Sequence, residues 1–191
     1  GGLQIPLPPL PEQRKIADTL STWDQAIEKT EALLSNARTQ KRALMQQLLT
    51  GKIRLSGFTK EWKLVRFDDV LQIDIGGTPS RYRSEFWDDN KITDNRWVSI
   101  RDLKTMRITQ TKEHLTDLGA QNCNANLIPA GTVIMSFKLT IGKAAILEHA
   151  SYTNEAIAAL VPKNPKQLSR DFLFHSLNVV NFDKEIDQAV K

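Results

Sequence analysis

The stretch that decides the architecture is residues 11–50, PEQRKIADTLSTWDQAIEKTEALLSNARTQKRALMQQLLT, which contains no glycine and no proline after its first residue. Pro11 is compatible with a first helical turn, where its missing N–H costs nothing, and Gly51 is a natural helix stop. The sequence therefore predicts one helix over about residues 11–50, roughly 60 Å long at a rise of about 1.5 Å per residue.

Mostly apolar residues recur along this predicted helix in alternating steps of four and three. The resulting seam is formed by Ile16, Leu20, Trp23, Ile27, Thr30, Leu34, Ala37, Lys41, Leu44 and Leu48. A repeat of about 3.5 residues is typical of a coiled coil, so we expect a partner helix. The alternative is that the stripe packs against the chain's own globular part. The two polar positions either set register and orientation or are tolerated defects.

The segments on either side of the helix predict how the chain is divided. Four prolines in residues 5–11 disfavour a helix and favour an extended lead-in. After the helix, residues 51–58 form a short connector with two glycines. We therefore expect residues 1–57 to form a proline-rich lead-in and a long helix, and residues 58–191 to form a globular domain.

The second region predicts short strands followed by helices. Residues 97–100 and 132–137 are rich in β-prone side chains and lie between clusters of Gly, Pro, Asn and Asp. Residues 168–190 carry apolar side chains at helical spacing, which predicts one or two helices. The predicted fold class is α+β, with a long N-terminal coiled-coil helix followed by a globular α/β domain of short strands and C-terminal helices.

Composition excludes several classes of protein but does not identify a partner. The net charge is +4, yet residues 1–57 hold eight Lys or Arg against five Asp or Glu, and the remainder holds 18 against 17. No apolar run approaches the ~18 residues of a spanning helix, so we expect a cytoplasmic protein. One cysteine and three histidines predict no internal disulfide, no metal site and no cofactor.

Catalytic signatures are missing from the sequence. A DNA amino-methyltransferase would need a glycine-rich cofactor loop and an Asn/Asp-Pro-Pro-aromatic motif, whereas Pro8-Pro9 stands between two leucines. A metal-dependent nuclease would need spaced acids before a Glu-x-Lys triplet, and Glu61-Trp62-Lys63 supplies only the triplet. We expect this chain to lack catalysis of its own.

Five ordered motifs carry a resemblance to a known family. Residues 5–13, followed by a long helix ending near residues 48–51, resemble the central conserved region of Type I restriction-modification DNA specificity subunits. Residues 76–80 (GGTPS), 97–103 (WVSIRDL), 128–136 (IPAGTVIMS) and 140–143 (TIGK) follow in the order of that family's target-recognition domain. Asn154-Glu155-Ala156 departs from the family's common Asn-Gln-Ala or Asn-Gln-Gly, which puts a polar contact from position 155 in question.

The resemblance implies a non-catalytic module of a defence system against foreign DNA. Such a subunit reads a bipartite sequence in double-stranded DNA and is a scaffold for methyltransferase and restriction subunits. Family members carry two recognition domains and two conserved helices, so this chain resembles about half a subunit, and a second copy is a candidate for the missing helix partner. The alternatives are a coiled-coil adaptor that does not bind DNA, and an inactive remnant.

The candidate DNA contacts are polar or basic side chains near glycine bends and strand ends. The Gly-Gly-Thr-Pro turn predicts a projecting loop, in which Arg or Lys can bind phosphate or guanine and Tyr can stack or donate a hydrogen bond. The candidates are Thr78, Ser80, Arg81, Tyr82 and Arg83, then Lys138, Thr140 and Lys143, then Ser99, Arg101 and Asn154. Solvated surface positions are the alternative for the first two groups, and buried hydrogen bonding for the third. Trp87 and Trp97 are expected in the core.

Overall fold

The computed structural model describes residues 2–180 and 182, and the chain divides into two compact units between Leu55 and Ser56. Unit 1 contains one helix, α1 (Leu10–Leu48), of 39 residues. The N–H of Leu49 donates to the carbonyl of Met45 (2.9 Å) and the N–H of Ile53 to that of Gln47 (3.2 Å), so carbonyls of the last turn are satisfied. The predicted long helix is confirmed.

The seam of α1 is exposed. No residue of the helix is buried, and six large apolar seam side chains are each at least 46% exposed. These side chains are Ile16, Leu20, Trp23, Ile27, Leu34 and Leu44. Side chains of this size are ordinarily covered, so the helix presents a long apolar stripe that suits a partner.

Unit 2 contains eight short strands and three short helices within the described residues. In chain order they are α2 (Phe67–Val70), β1 (Leu71–Ile75), β2 (Arg96–Val98), β3 (Arg107–Ile108), β4 (Glu113–His114), α3 (Asp117–Gln121), β5 (Val133–Ser136), β6 (Ala144–Leu147), β7 (Tyr152–Thr153), β8 (Ile157–Pro162) and α4 (Arg170–Leu177). Together with α1, they form the predicted α+β fold.

The strands form two sheets. The larger has the order β1-β8-β5-β6-β3 and the smaller the order β4-β2-β7. β8 pairs antiparallel with both neighbours, in the registers Leu71↔Pro162 and Val133↔Leu160. β2 pairs parallel with β7, so the chain leaves both strands at the same end.

Helix α4 covers one face of the larger sheet, and a second apolar cluster covers the other. Val133 packs with Leu160, Leu173 and Leu177, whereas the next residue, Ile134, packs in a different buried cluster. Successive side chains of a strand point to opposite faces, so a strand buried on both faces needs a continuous apolar run. This explains the unbroken Val-Ile-Met of β5.

Predicted and observed bounds differ at several elements, and β5 covers Val133–Ser136 where residues 132–137 are predicted. The strand expected at 97–100 ends at Val98, because the backbone N–H and hydroxyl of Ser99 both donate to the Asp102 carboxylate (2.9 Å each) and start a 3-10 turn. In the predicted helical region 168–190, helix α4 covers Arg170–Leu177. Residues 181 and 183–190 of that prediction lie outside the described residues. No helix in the described part of the chain is long and apolar enough to cross a bilayer.

Candidate nucleic-acid interface

Three chain segments meet at one end of the larger sheet, and we call them the loop cluster. They are residues 76–83 after β1, residues 137–143 between β5 and β6, and residues 154–157 leading into β8. The register pairs Ile75 with Ala158 and Ser136 with Ile157, so these strand ends are neighbours. The Thr78 hydroxyl donates a hydrogen bond to the Glu155 carboxylate, which joins the first segment to the third.

Two glycines allow the first segment to lie against its neighbours. A Cβ on Gly76 would stand 2.1 Å from the carbonyl oxygen of Thr153, and one on Gly77 would stand 2.1 Å from that of Cys123. The Gly77 carbonyl accepts a hydrogen bond from the Trp97 indole (3.0 Å), and Pro79 is buried. Residues 76–79 are thus anchored, and residues 80–83 project from the anchor.

The projecting residues include two restrained arginines and one free aromatic ring. Arg81 makes a two-point ion pair with Glu113, with 3.1 Å between Nη2 and Oε2, and its guanidinium carbon lies 3.6 Å from the Trp87 ring centroid. Arg83 pairs with Glu85 (2.7 Å). Tyr82, between the two arginines, is fully exposed. This loop therefore presents an exposed tyrosine between two ion-paired arginines.

The second segment is an exposed loop tied to Ser136. Lys138, Thr140 and Lys143 are all exposed. Beneath them, the Ser136 N–H donates to the Lys143 carbonyl and the Gly142 N–H to the Ser136 carbonyl, each at 2.9 Å. Gly142 has a positive φ of 83°, which glycine adopts without strain. The two lysines are therefore carried by a loop of defined shape.

The third candidate group makes internal hydrogen bonds. Ser99 is buried on Asp102, and the Asn154 N–H donates to the Val98 carbonyl (3.0 Å). Arg101 is exposed. The buried hydrogen-bonding alternative agrees with Ser99, whereas Asn154 is half-buried and its side-chain oxygen accepts from the Ala156 N–H (3.2 Å). DNA contact by all three remains a prediction.

The two tryptophans pack against each other. Trp97 is buried and Trp87 is half-buried, with ring centroids 5.1 Å apart in an edge-to-face arrangement. The predicted core position is confirmed for Trp97, whereas Trp87 is only half-buried. Trp87 has one face open enough for the guanidinium of Arg81 to lie on it.

The loop cluster contains an acid that the sequence analysis did not select. Glu155 is exposed, and its pKa is lowered by the Thr78 hydrogen bond first, then by a backbone hydrogen bond and the charges of Lys138 and Arg81. Its only sequence signal was the departure at the middle of Asn-Glu-Ala. No group of three or more potential His, Cys, Asp or Glu metal ligands occurs among the residues with described structure.

Comparison with known proteins identifies relatives of the chain. The family model of the "Type I restriction modification DNA specificity domain" matches residues 2–36 and 59–186. The HindI specificity subunit of Haemophilus influenzae is 31% identical over 124 residues, which cover 64% of this chain and 26% of that protein. The EcoR124I/EcoR124II specificity subunit of Escherichia coli is 25% identical over 174 residues, covering 88% and 38%.

Solved structures show the same fold. The HsdS subunit of Thermoanaerobacter tengcongensis has a TM-score of 0.55 at 23% identity and covers 92% of this chain and 42% of that one. The S subunit of a Type I system from M. genitalium has a TM-score of 0.56 at 15% identity, covering 95% and 45%. This chain spans less than half the length of each of these four relatives.

Proposed function

The chain belongs to the family of Type I restriction modification DNA specificity domains, and from this we propose that it recognises double-stranded DNA within a Type I restriction-modification complex. Unit 2 is then a target-recognition domain that reads one part of a bipartite target. Unit 1 is the spacer helix. The single observation that carries the proposal is the loop cluster, in which an exposed tyrosine and basic side chains lie together at one end of the larger sheet. The chain's membership of a family of DNA specificity domains gives this cluster its proposed role.

The charge arrangement of the loop cluster supports a DNA partner better than net charge does. Arg81, Arg83, Lys138 and Lys143 lie in two of its three segments. Arg81 and Arg83 are ion-paired with Glu113 and Glu85, so phosphate contacts are proposed first for Lys138 and Lys143. Basic side chains at this density can bind phosphates, while base edges are read by side chains that reach into a groove. The fully exposed Tyr82 is the candidate for such a contact.

The length of α1 suits a spacer between two readers of DNA. Its 39 residues span roughly 58 Å at about 1.5 Å per residue, which exceeds the ~34 Å repeat of duplex DNA that sets half-site spacing. The exposed seam would be covered by an antiparallel helix, either from a longer subunit or from a second copy of this chain.

DNA methylation and DNA cleavage would be carried out by other chains of the complex. Methyltransferase subunits would modify the DNA and restriction subunits would cleave it, and both would assemble in the cytoplasm on the scaffold that this chain helps to form. The chain itself contributes recognition and spacing.

Duplex binding measured against salt concentration tests the DNA role. Replacing Lys138 and Lys143 with glutamine should reduce the slope of log affinity against log salt by about two, since each phosphate contact contributes about 0.9. A double glutamine variant at Lys163 and Lys166, which follow the opposite end of β8, is the control and should leave the slope unchanged. Absence of salt-dependent duplex binding would contradict the proposal in favour of an adaptor or a remnant.

Light scattering tests the second copy as the helix partner. Ile27→Lys places a charge in the seam, whereas Gln25→Lys places the same charge on the side of α1 away from it. We expect the wild-type chain and Gln25→Lys to be dimers at micromolar concentration and Ile27→Lys to be monomeric. Equal monomer masses for all three would rule out the homodimer.

Adenine methylation mapping in cells that also contain the cognate methyltransferase subunit tests both claims together. A homodimer should produce an interrupted motif with two identical inverted halves. No new methylation, together with no binding to the methyltransferase subunit, would favour an inactive remnant.

A further inference from the structure

Glu155 has a fixed position within the loop cluster. It lies in a tight turn that is closed by a hydrogen bond from the Ile157 N–H to the Asn154 carbonyl (3.1 Å). The Asn154 side chain accepts from the Ala156 N–H (3.2 Å), and the Ala156 carbonyl accepts from the Phe137 N–H (3.0 Å). Both neighbours of Glu155 are therefore held while its own side chain is exposed.

The carboxylate of Glu155 is charged and has acceptor capacity to spare. The Thr78 hydroxyl donates to Oε2, and the nearby charges of Lys138 and Arg81 also favour the ionised form. A carboxylate is an acceptor with about four lone-pair sites. A hydrogen bond from Thr78 orients it and leaves room for a further donor.

Glu155 is the wrong charge for a phosphate contact. On a surface that approaches DNA, a carboxylate is repelled by the phosphate backbone. A favourable contact from Glu155 therefore requires a hydrogen-bond donor on the DNA. The donors that duplex DNA offers in the major groove are the exocyclic amino groups of cytosine (N4) and adenine (N6). Glutamate is a known acceptor for such a group.

We propose that Glu155 is a specificity-determining residue that accepts a hydrogen bond from a base exocyclic amino group in the major groove. This inference rests on the proposed DNA recognition function. Thr78 is its positioning residue, since it fixes the carboxylate without needing to reach the DNA itself. The neighbouring cations Lys138 and Arg81 offset repulsion between the carboxylate and the phosphates.

Selection of duplexes from a randomised pool by the full chain tests the inference. At one position of one strand, the wild type should prefer cytosine or adenine, the two bases whose amino groups lie in the major groove. Glu155→Ala should reduce that preference by about fivefold or more, while the preferences at other positions persist. Glu155→Gln keeps an acceptor oxygen and gains an amide donor, so it should shift the preference at that position toward adenine. Thr78→Val, which removes the orienting hydroxyl at nearly constant volume, should weaken the preference at the same position by a smaller factor.

Glu148→Gln is the matched control. It removes the same charge beyond the other end of β6, where Glu148 pairs with Arg107, and should leave every base preference unchanged. Unaltered base preferences in Glu155→Ala would overturn the inference, including the case in which its affinity rises equally for all duplexes, because Glu155 would then only balance charge. If the wild type binds no duplex at all, the proposed DNA recognition function is wrong as well. This outcome differs from duplex binding in which the base preferences do not depend on Glu155.

Discussion

Arg81 lies over the ring of Trp87, with 3.6 Å between the guanidinium carbon and the ring centroid, while its two terminal nitrogens face the Glu113 carboxylate. An arginine fork held on an aromatic face and by a carboxylate loses little further rotamer freedom on binding. The same contacts join the projecting loop to β4, which contains Glu113. Arg81 thus links the loop to β4 and is also a candidate for binding DNA.

Replacing Arg81 with lysine should weaken this tie, because an ammonium group can neither stack flat nor make a two-point pair. The pair is partly exposed and screened by solvent, so we expect a loss of about 0.5–1 kcal/mol in the free energy of unfolding. Urea denaturation of unit 2 measures it. Arg101→Lys, at an exposed position, is the control, and an equal loss there would show that stacking contributes nothing.

Tyr82→Ala should leave stability unchanged and weaken duplex binding. The side chain is fully exposed, so its removal opens no cavity, but a lost hydrogen bond to DNA of about 1–1.5 kcal/mol corresponds to roughly fivefold to tenfold in affinity. Fluorescence anisotropy with labelled duplex measures the change. Wild-type affinity in the variant would exclude Tyr82 from the interface.

Gly77→Ala should destabilise unit 2 strongly. The new Cβ would stand 2.1 Å from the Cys123 carbonyl oxygen, a backbone atom that cannot rotate away. We expect a loss of about 2 kcal/mol or more in unfolding free energy. Ser80→Ala in the same loop should cost far less, and thermal denaturation compares the two. Equal melting temperatures would mean that the loop moves aside freely.

Stability at acid pH should depend on Asp88. The pKa of this carboxyl is lowered, chiefly by the hydrogen bond from the Thr93 N–H (2.7 Å). A lowered folded pKa gives stability that is present above the unfolded value of about 3.9 and is lost as pH falls through the folded value. Urea midpoints between pH 7 and pH 3 should therefore fall less steeply for Asp88→Asn than for the wild type. Asp89→Asn, at the exposed neighbouring position, should match the wild-type slope.

The thiol of Cys123 should be almost inert in the folded protein. Burial raises its pKa to about 11, so at pH 8 the reactive thiolate is scarce as well as covered. Alkylation by iodoacetamide should be at least roughly a hundredfold slower in the native chain than in denaturant. Mass spectrometry reads this directly, because the sequence has one cysteine. Comparable native and denatured rates would mean that residues around Cys123 open readily.

Local patterns were sufficient to predict part of the structure. The seam and the lack of Gly or Pro predicted α1, and the β-prone run around Val133 predicted β5. The turn at Ser99 was missed as a boundary although its signal was present, since Ser followed three residues later by Asp can make reciprocal capping bonds. Here a local side-chain bond overrode strand propensity.

The arrangement of the candidate interface depended on contacts that sequence patterns do not encode. Arg81 meets Glu113 only when a loop of the larger sheet reaches the smaller one, and Thr78 meets Glu155 only when β1 pairs with β8. Neither pair has a spacing rule. Sequence patterns indicated basic loop residues and, at position 155, a departure from the family motif, but they gave no sign that Glu113 meets Arg81 or that Thr78 meets Glu155.

The pairing of β1 with β8 also determines how unit 2 can be exchanged between proteins. Because Leu71 stands opposite Pro162, the first strand begins beside the point where the last strand ends. A segment with adjacent ends can be transplanted into another chain without displacing what precedes and follows it. The register thus brings both ends of residues 71–162 to one place, and because Leu173 and Leu177 of α4 pack on the same sheet, only an exchange that keeps this covered face intact would leave the following helix where it was.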